Sequence, residues 1–125
     1  MNYGLQLSMY SIRLTPQFEV WFGDLRDGMT KRRLLTRLRK ASLGNLGDVK
    51  PVGAGVYEMR EFFGPGWRMY YLLRGDVLVV MLGGGDKSTQ QNDINKAQVL
   101  AQTLEPNTNP GVAPRKGEDD CSENL

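Results

Sequence analysis

At 125 residues the chain has the length of one domain, with enough residues to build one hydrophobic core. Its single cysteine, Cys121, closes no disulfide within the chain, and the absence of histidine excludes His-based triads, His metal sites and zinc clusters. The formal charge of +2 conceals fourteen Lys/Arg against nine Asp/Glu in residues 1–104, and two against five in residues 105–125. A basic body of this kind suits an anionic partner, either nucleic acid or an acidic protein surface.

No apolar run reaches the ~18 residues a membrane span needs, and Met1 to Thr15 lacks the basic and apolar regions of a signal peptide. A cytoplasmic protein with no membrane contact, no metal and no cofactor is therefore expected. In chain order, Leu5 to Leu14 reads as a strand by alternation. Thr15-Pro16 starts a helix: threonine can cap, and proline at the first helical position loses no hydrogen bond. Phe18, Trp21, Phe22 and Leu25 follow at helical spacing as a core stripe. Gly28 is expected to break this helix and Thr30 to cap the next, with Leu34, Leu35, Leu38 and Ala41 as its apolar face and Gly44 in its C-terminal turn. Around that face lie Lys31, Arg32, Arg33, Arg37, Arg39 and Lys40 with no acidic residue among them. The run is either a solvated face or a grip on an anionic partner.

From Asp48 the period falls to two. Lys50-Pro51-Val52 reads as an edge, since Pro51 donates nothing to a ladder. Val56 to Phe62, a turn at Gly64-Pro65-Gly66, Trp67 to Leu73, a turn at Arg74-Gly75-Asp76 and Val77 to Leu82 form an antiparallel meander. Ser88 is expected to open the last helix with Gln91 completing a capping box, and Ile94, Ala97, Ala101 and Leu104 face the core. Beyond Pro106 almost no large apolar residue remains, so an acidic, disordered tail is expected over 105–125, after a single domain over 1–104. The fold class is α+β: an antiparallel sheet with two N-terminal helices and one C-terminal helix, all on one side of the sheet.

Arg60 and Arg68 share parity across the hairpin. If Gly64-Pro65-Gly66 is the whole loop, Arg60 opposes Tyr70 and Arg68 lies diagonal to Arg60 on the same face. Two like charges so close suit a shared phosphate or carboxylate. A loop of four residues would separate them onto opposite faces, and Glu58 and Glu61 are alternative partners that would neutralise them. The glycine run Gly83-Gly84-Gly85 before Lys87 and the last helix is a second anion-site candidate, or a turn that needs glycine for geometry alone.

The segments Gly44-Asn45-Leu46-Gly47-Asp48-Val49-Lys50-Pro51-Val52-Gly53, Val56-Tyr57-Glu58-Met59-Arg60, Gly64-Pro65-Gly66-Trp67-Arg68-Met69-Tyr70-Tyr71 and Gly84-Gly85-Asp86-Lys87-Ser88-Thr89-Gln90 occur in this order. Together they resemble the addiction module killer proteins, a group of the RelE/ParE toxin superfamily near the HigB toxins, over about residues 9–104. The resemblance implies a RelE-like compact domain, neutralised by a cognate antitoxin, expected to be of helix-turn-helix type. RelE-like members are ribosome-dependent mRNA endonucleases that use basic residues on the sheet. Carried over by position, Arg60 and Arg68 match basic catalytic residues on the sheet, and Lys87 lies near a further basic position at the start of the last helix; Tyr70 joins them as a catalytic candidate on its own chemistry. In an mRNA endonuclease the basic run, Lys31, Arg32, Arg33, Arg37 and Arg39, together with Lys50, would contact mRNA or ribosomal RNA phosphates. The tyrosine that RelE places in its last helix has no counterpart; Asp93 and Ile94 occupy that neighbourhood. Without histidine, proton removal would fall to Tyr70, Tyr57, Glu58 or Asp86, or the chemistry would be mainly electrostatic. Two alternatives stand beside the mRNA endonuclease: a ParE-like inhibitor of a protein target such as DNA gyrase, and a degenerate toxin that only binds its antitoxin.

Overall fold

The chain begins its described course in an edge strand and two capped helices. The computed structural model describes residues 9–75 and 78–104; residues 5–8 of the expected N-terminal strand, 76 and 77 of the expected turn and following strand, and the expected acidic tail lie outside them. Strand β1 (Ser11–Leu14) leads into α1 (Pro16–Gly23), where Thr15 Oγ1 accepts from the Phe18 amide at 3.1 Å and donates to the Met81 carbonyl at 2.9 Å. One threonine thus caps a helix and ties it to the sheet. Phe18 is buried, and Trp21, Phe22 and Leu25 pack around the same core.

Helix α2 (Gly28–Ser42) departs from expectation at its start. Asp27 is the cap: its Oδ2 accepts from the Thr30 amide at 3.1 Å and the Thr30 hydroxyl at 2.8 Å, and Gly28 is already helical. The apolar face is Leu34, Leu38 and Ala41 with Thr30, whereas Leu35 is exposed because it lies a further 100° around the helix. Gly44, at φ +100°, closes the helix by donating to the Ala41 carbonyl at 2.9 Å.

Strands β2 (Val49–Gly53), β3 (Val56–Arg60), β4 (Trp67–Arg74) and β5 (Leu78–Asp86) form an antiparallel meander, and β1 completes the sheet in the order β1-β5-β4-β3-β2. β1 runs parallel to β5, an exception to the expected antiparallel sheet that arises from the helical crossover between β1 and the meander. The helices, expected on one side, lie on both. Met69 and Tyr71 of β4 face α1 and α2, with Met59 and Met81 beside them. Tyr70 and Leu72 face α3 (Gln90–Leu104), which brings Ile94, Ala97 and Ala101. Strand β4 is therefore buried on both faces, which explains its unbroken run of large side chains.

The hairpin joining β3 and β4 also differs. β3 stops at Arg60 and six residues, 61–66, make the connection, with Gly64 and Gly66 at positive φ. Arg60 directly opposes Arg68, two residues out of the expected register, and an even shift leaves both on the expected face.

β5 continues through all three glycines, whose partners are Tyr70, Met69 and Arg68 of β4. A Cβ at Gly84 would stand 2.5 Å from the Trp21 ring, and one at Gly85 would strike the Asp93 carboxylate, so these two glycines are small to admit neighbours, whereas a Cβ at Gly83 would meet nothing within 4 Å. The next cap is Asp86, not Ser88. Its Oδ1 accepts from the Ser88 amide at 2.8 Å, and a 3-10 turn over Lys87–Thr89 precedes α3. Gln91 bonds Asn95, one helical turn on, and closes no capping box. Among the described residues no helix is long and apolar enough to cross a membrane.

Candidate functional site

The even-numbered residues of β3 and β4 build three rows on the α3 face of the sheet. Val56 opposes Leu72, Glu58 opposes Tyr70, and Arg60 opposes Arg68. The first row lies in the core under α3; the last lies at the β3–β4 hairpin end of the sheet. An apolar floor thus gives way, over two rows, to a cationic corner.

The middle row is a buried polar cluster. Glu58 is fully buried, and its Oε2 accepts from the Tyr70 hydroxyl at 3.2 Å and the Gln90 amide at 2.7 Å. Arg68 Nε lies 3.9 Å from the same oxygen, while Glu58 Oε1 has no partner. A buried carboxylate needs compensation of this kind, and the guanidinium supplies it from the row above. Arg68 is 4% exposed, and its Nη1 donates to the Glu61 and Trp67 carbonyls at 3.1 and 3.2 Å. It is consequently held in one orientation. Asp93, which accepts from Thr89 at 2.6 Å, adds a second carboxylate over Gly85, opposite Arg68.

Arg60 is more open, with its side chain 31% exposed, and Nη2 donates to Asp48 Oδ1 at 3.2 Å. Each guanidinium therefore has a carboxylate within 4 Å. Neither pairing uses the fork bidentately, and the Nε atoms of both arginines lack a hydrogen-bond partner. Lys87 joins them: the place a Gly66 Cβ would occupy is 3.5 Å from Lys87 Cβ and 3.7 Å from Arg68 Nη1. Arg60, Arg68 and Lys87 are thus brought together from β3, β4 and the turn before α3. Lys50 is exposed on the same sheet face, opposite Glu58 on edge strand β2.

Tyr70 lies elsewhere than at the open surface. It is fully buried beneath the arginines, and burial first, then the charge of Glu58, push its pKa above the ordinary value. A hydroxyl that donates to a carboxylate and resists ionisation is no general base. Asp86 is occupied by Ser88, and Tyr57 stacks on Tyr71 at 5.5 Å on the opposite face of the sheet.

The basic helix divides likewise. Arg37 is buried and is a structural tie: Nε and Nη2 donate to the Leu46 carbonyl, Nη2 to that of Asp48, and Nη1 to the Arg60 carbonyl and Glu61. It holds the end of β3 against α2 and leaves only 8% of its surface exposed. Arg32, Arg33 and Lys40 line a groove of about 320 Å³ with Arg37 and Glu61. Lys31 Nζ donates to the Gly23 carbonyl at 3.2 Å, and Arg39 is exposed beside the groove without lining it. The Arg33 guanidinium lies 4.0 Å above the Phe63 ring, so the groove and the arginine corner meet at the β3–β4 loop. Among the described residues no cluster of His, Cys, Asp and Glu could hold a metal ion.

Sequence reasoning missed three members of this site. Asp48 as the partner of Arg60 depends on the β2–β3 register, Gln90 on where α3 begins, and Phe62 on the length of the hairpin loop. Only Phe62 left a local signal, in its shared parity with Arg60 and Arg68.

No known protein-family profile matches the chain. An uncharacterized protein of Haemophilus influenzae is 41% identical over 93 residues, spanning 74% of this chain and 94% of that protein. Two solved structures share the architecture. The toxin–antitoxin complex RelBE2 of Mycobacterium tuberculosis aligns at a TM-score of 0.54 with 20% identity, over 63% of this chain and 99% of that one. A mutant of the E. coli toxin RelE in its free state aligns at 0.55 with 14% identity, over 74% and 96%. At these identities the likeness is one of fold, and the fold is that of the RelE toxins.

Proposed function

We propose that this chain, which belongs to one family with the Haemophilus influenzae protein and has the RelE fold, is the toxin of a type II toxin–antitoxin pair that cuts mRNA at the ribosome. The observation that carries this reading is the direct cross-strand opposition of Arg60 and Arg68 with Lys87 beside them. Three cations in one corner favour a phosphodiester whose negative charge grows during reaction. In the step we envisage, the ribose 2′-oxygen attacks the adjacent phosphorus as the bond to the 5′-oxygen breaks, leaving a cyclic phosphate and a 5′-hydroxyl. Arg60 and Arg68 would hold the non-bridging oxygens. The 2′-proton would pass to solvent and the departing 5′-oxygen would take a proton from solvent, since Glu58 and Tyr70 are committed to one another. Arg32, Arg33 and Lys40 would grip phosphates farther along the RNA through salt-sensitive contacts. A cognate antitoxin would neutralise the toxin by laying an acidic segment over the arginine corner.

The test is to induce the protein in cells and map mRNA 5′ ends. New ends within coding regions, absent on induction of Arg60→Ala, are expected. One observation favours a second reading, an inhibitor that binds a protein target without chemistry: each guanidinium already has a carboxylate within 4 Å. Growth arrest with intact messages would select that reading.

A further inference from the structure

Two adjacent phenylalanines in the β3–β4 loop have opposite surroundings. Phe63 packs against the α1–α2 core beneath Arg33. Phe62 is 70% exposed, and the guanidinium carbons of Arg60 and Arg68 lie 5.7 and 5.6 Å from its ring centroid. Single exposed apolar side chains are ordinary. An exposed ring between the two arginines of a phosphate-binding corner is a different matter, because both guanidiniums sit near the outer limit of cation–π contact and leave the ring open.

We infer that Phe62 is the platform on which a nucleobase next to the scissile phosphate stacks, a positioning residue for single-stranded RNA. The inference rests on the RNA-cleaving reading above. The chemistry of the corner selects the ligand. A cationic ligand would be repelled by Arg60, Arg68 and Lys87, and an apolar segment would have to desolvate those charges to reach the ring. A nucleotide offers a phosphate for the guanidiniums and a flat π face for the ring within a single unit, the combination that single-strand binding sites use. Bases in a duplex stack on one another, so the ring takes an unpaired one. Stacking accepts any base, so Phe62 sets the position of the RNA and not its sequence.

The test uses ribosomes programmed with an mRNA carrying 2-aminopurine at each decoding-site position in turn. In one set the 2′-hydroxyls are methylated to block cleavage; in the other they are free. Wild-type protein and Phe62→Tyr should quench the fluorescence at one position and cut the unmethylated message. Phe62→Ala should abolish the quench and slow cleavage at subsaturating protein by roughly 5- to 150-fold, the range for loss of one base–aromatic stack. Unchanged quench and cleavage in Phe62→Ala would overturn the inference while the RNA-cleaving reading stands. Growth arrest lost in Phe62→Ala with cleavage and quench intact would assign the ring to a protein contact and overturn it equally. If wild-type protein arrests growth yet neither quenches nor cuts, the RNA-cleaving reading itself fails and the inference falls with it.

Discussion

Replacing Arg37 by alanine should destabilise the protein far more than replacing any other cation of α2. The Arg37 side chain is 9% exposed, and its guanidinium reaches Leu46, Asp48, Arg60 and Glu61 together. Truncation strands the Leu46 carbonyl, which loses both of these donors, at about 1–3 kcal/mol, and removes a charge-assisted bond to Glu61 worth about 1.5–3 kcal/mol. Asp48 O keeps the Arg60 amide as a donor at 3.0 Å, so its loss is smaller. The sum, about 2.5–6 kcal/mol, spans the usual consequence of breaking a buried pair and is a large share of a domain's total stability. With a urea slope near ~2 kcal/mol/M the unfolding midpoint should fall by about 2 M. Arg39→Ala, at an exposed position of the same helix, should stay within about 0.5 kcal/mol of wild type. Arg37→Lys keeps the charge but not the planar fork, and should recover little. Equal midpoints for Arg37→Ala and Arg39→Ala would refute the division of this basic helix into a structural tie and a solvated surface.

Other consequences are open to direct measurement. Gly84→Ala should cost about 1–3 kcal/mol in a thermal or urea melt, because the added methyl meets the Trp21 ring, with RNA affinity per folded molecule unchanged. Tyr71 is pushed up to about 12 by burial, so the folded state keeps this proton longer than the unfolded chain does. Its contribution is fully present below about pH 10 and is lost as pH rises toward 12. Tyr71→Phe, whose parent hydroxyl has no hydrogen-bond partner, should show a smaller fall in urea midpoint between pH 9 and pH 11 than wild type. Replacing Arg32 and Arg33 together by alanine should lower the slope of log affinity against log salt for single-stranded RNA by about 1.4, two phosphate contacts at ~0.7 each. An unchanged slope would remove the groove from the RNA path.

Local chemistry made much of this fold readable from the chain. Thr15 before Pro16, the stripe Phe18, Trp21 and Phe22, and Gly44 after α2 act through near neighbours in the chain, and each does what its type and place suggest; Leu25 reaches the same core from beyond the end of α1, which stops at Gly23 and not at Gly28. The same holds for the shared face of Arg60 and Arg68, since parity survives any even change of register. Features that depended on distant parts of the chain were not readable. Asp27 and Thr30 are both good capping residues, and only the position of the first turn chooses between them. Met69 and Tyr71 point to one layer of helices and Tyr70 and Leu72 to another, which no alternation reveals when every residue is large and buried. Arg37 follows Leu34 by one helical turn and so borders the apolar stripe, yet its fate was set by carbonyls that β2 and β3 deliver. Glu58 was legible as a partner for an arginine, but its full burial under Gln90 required α3 to cross the sheet at that row.

The central claim is that Arg60 and Arg68 stabilise one phosphate together. It is tested most directly by the single-turnover rate of mRNA cleavage on programmed ribosomes for Arg60→Ala, measured beside its melting curve. Arg60 gives up an exposed pair with Asp48, worth under about 1 kcal/mol, and a distant contact with the exposed Phe62 ring, so the fold should persist. Cleavage should fall by about 10²–10³-fold, the loss typical of removing one preorganised donor from developing charge. A folded Arg60→Ala protein that cuts at the wild-type rate would contradict the account.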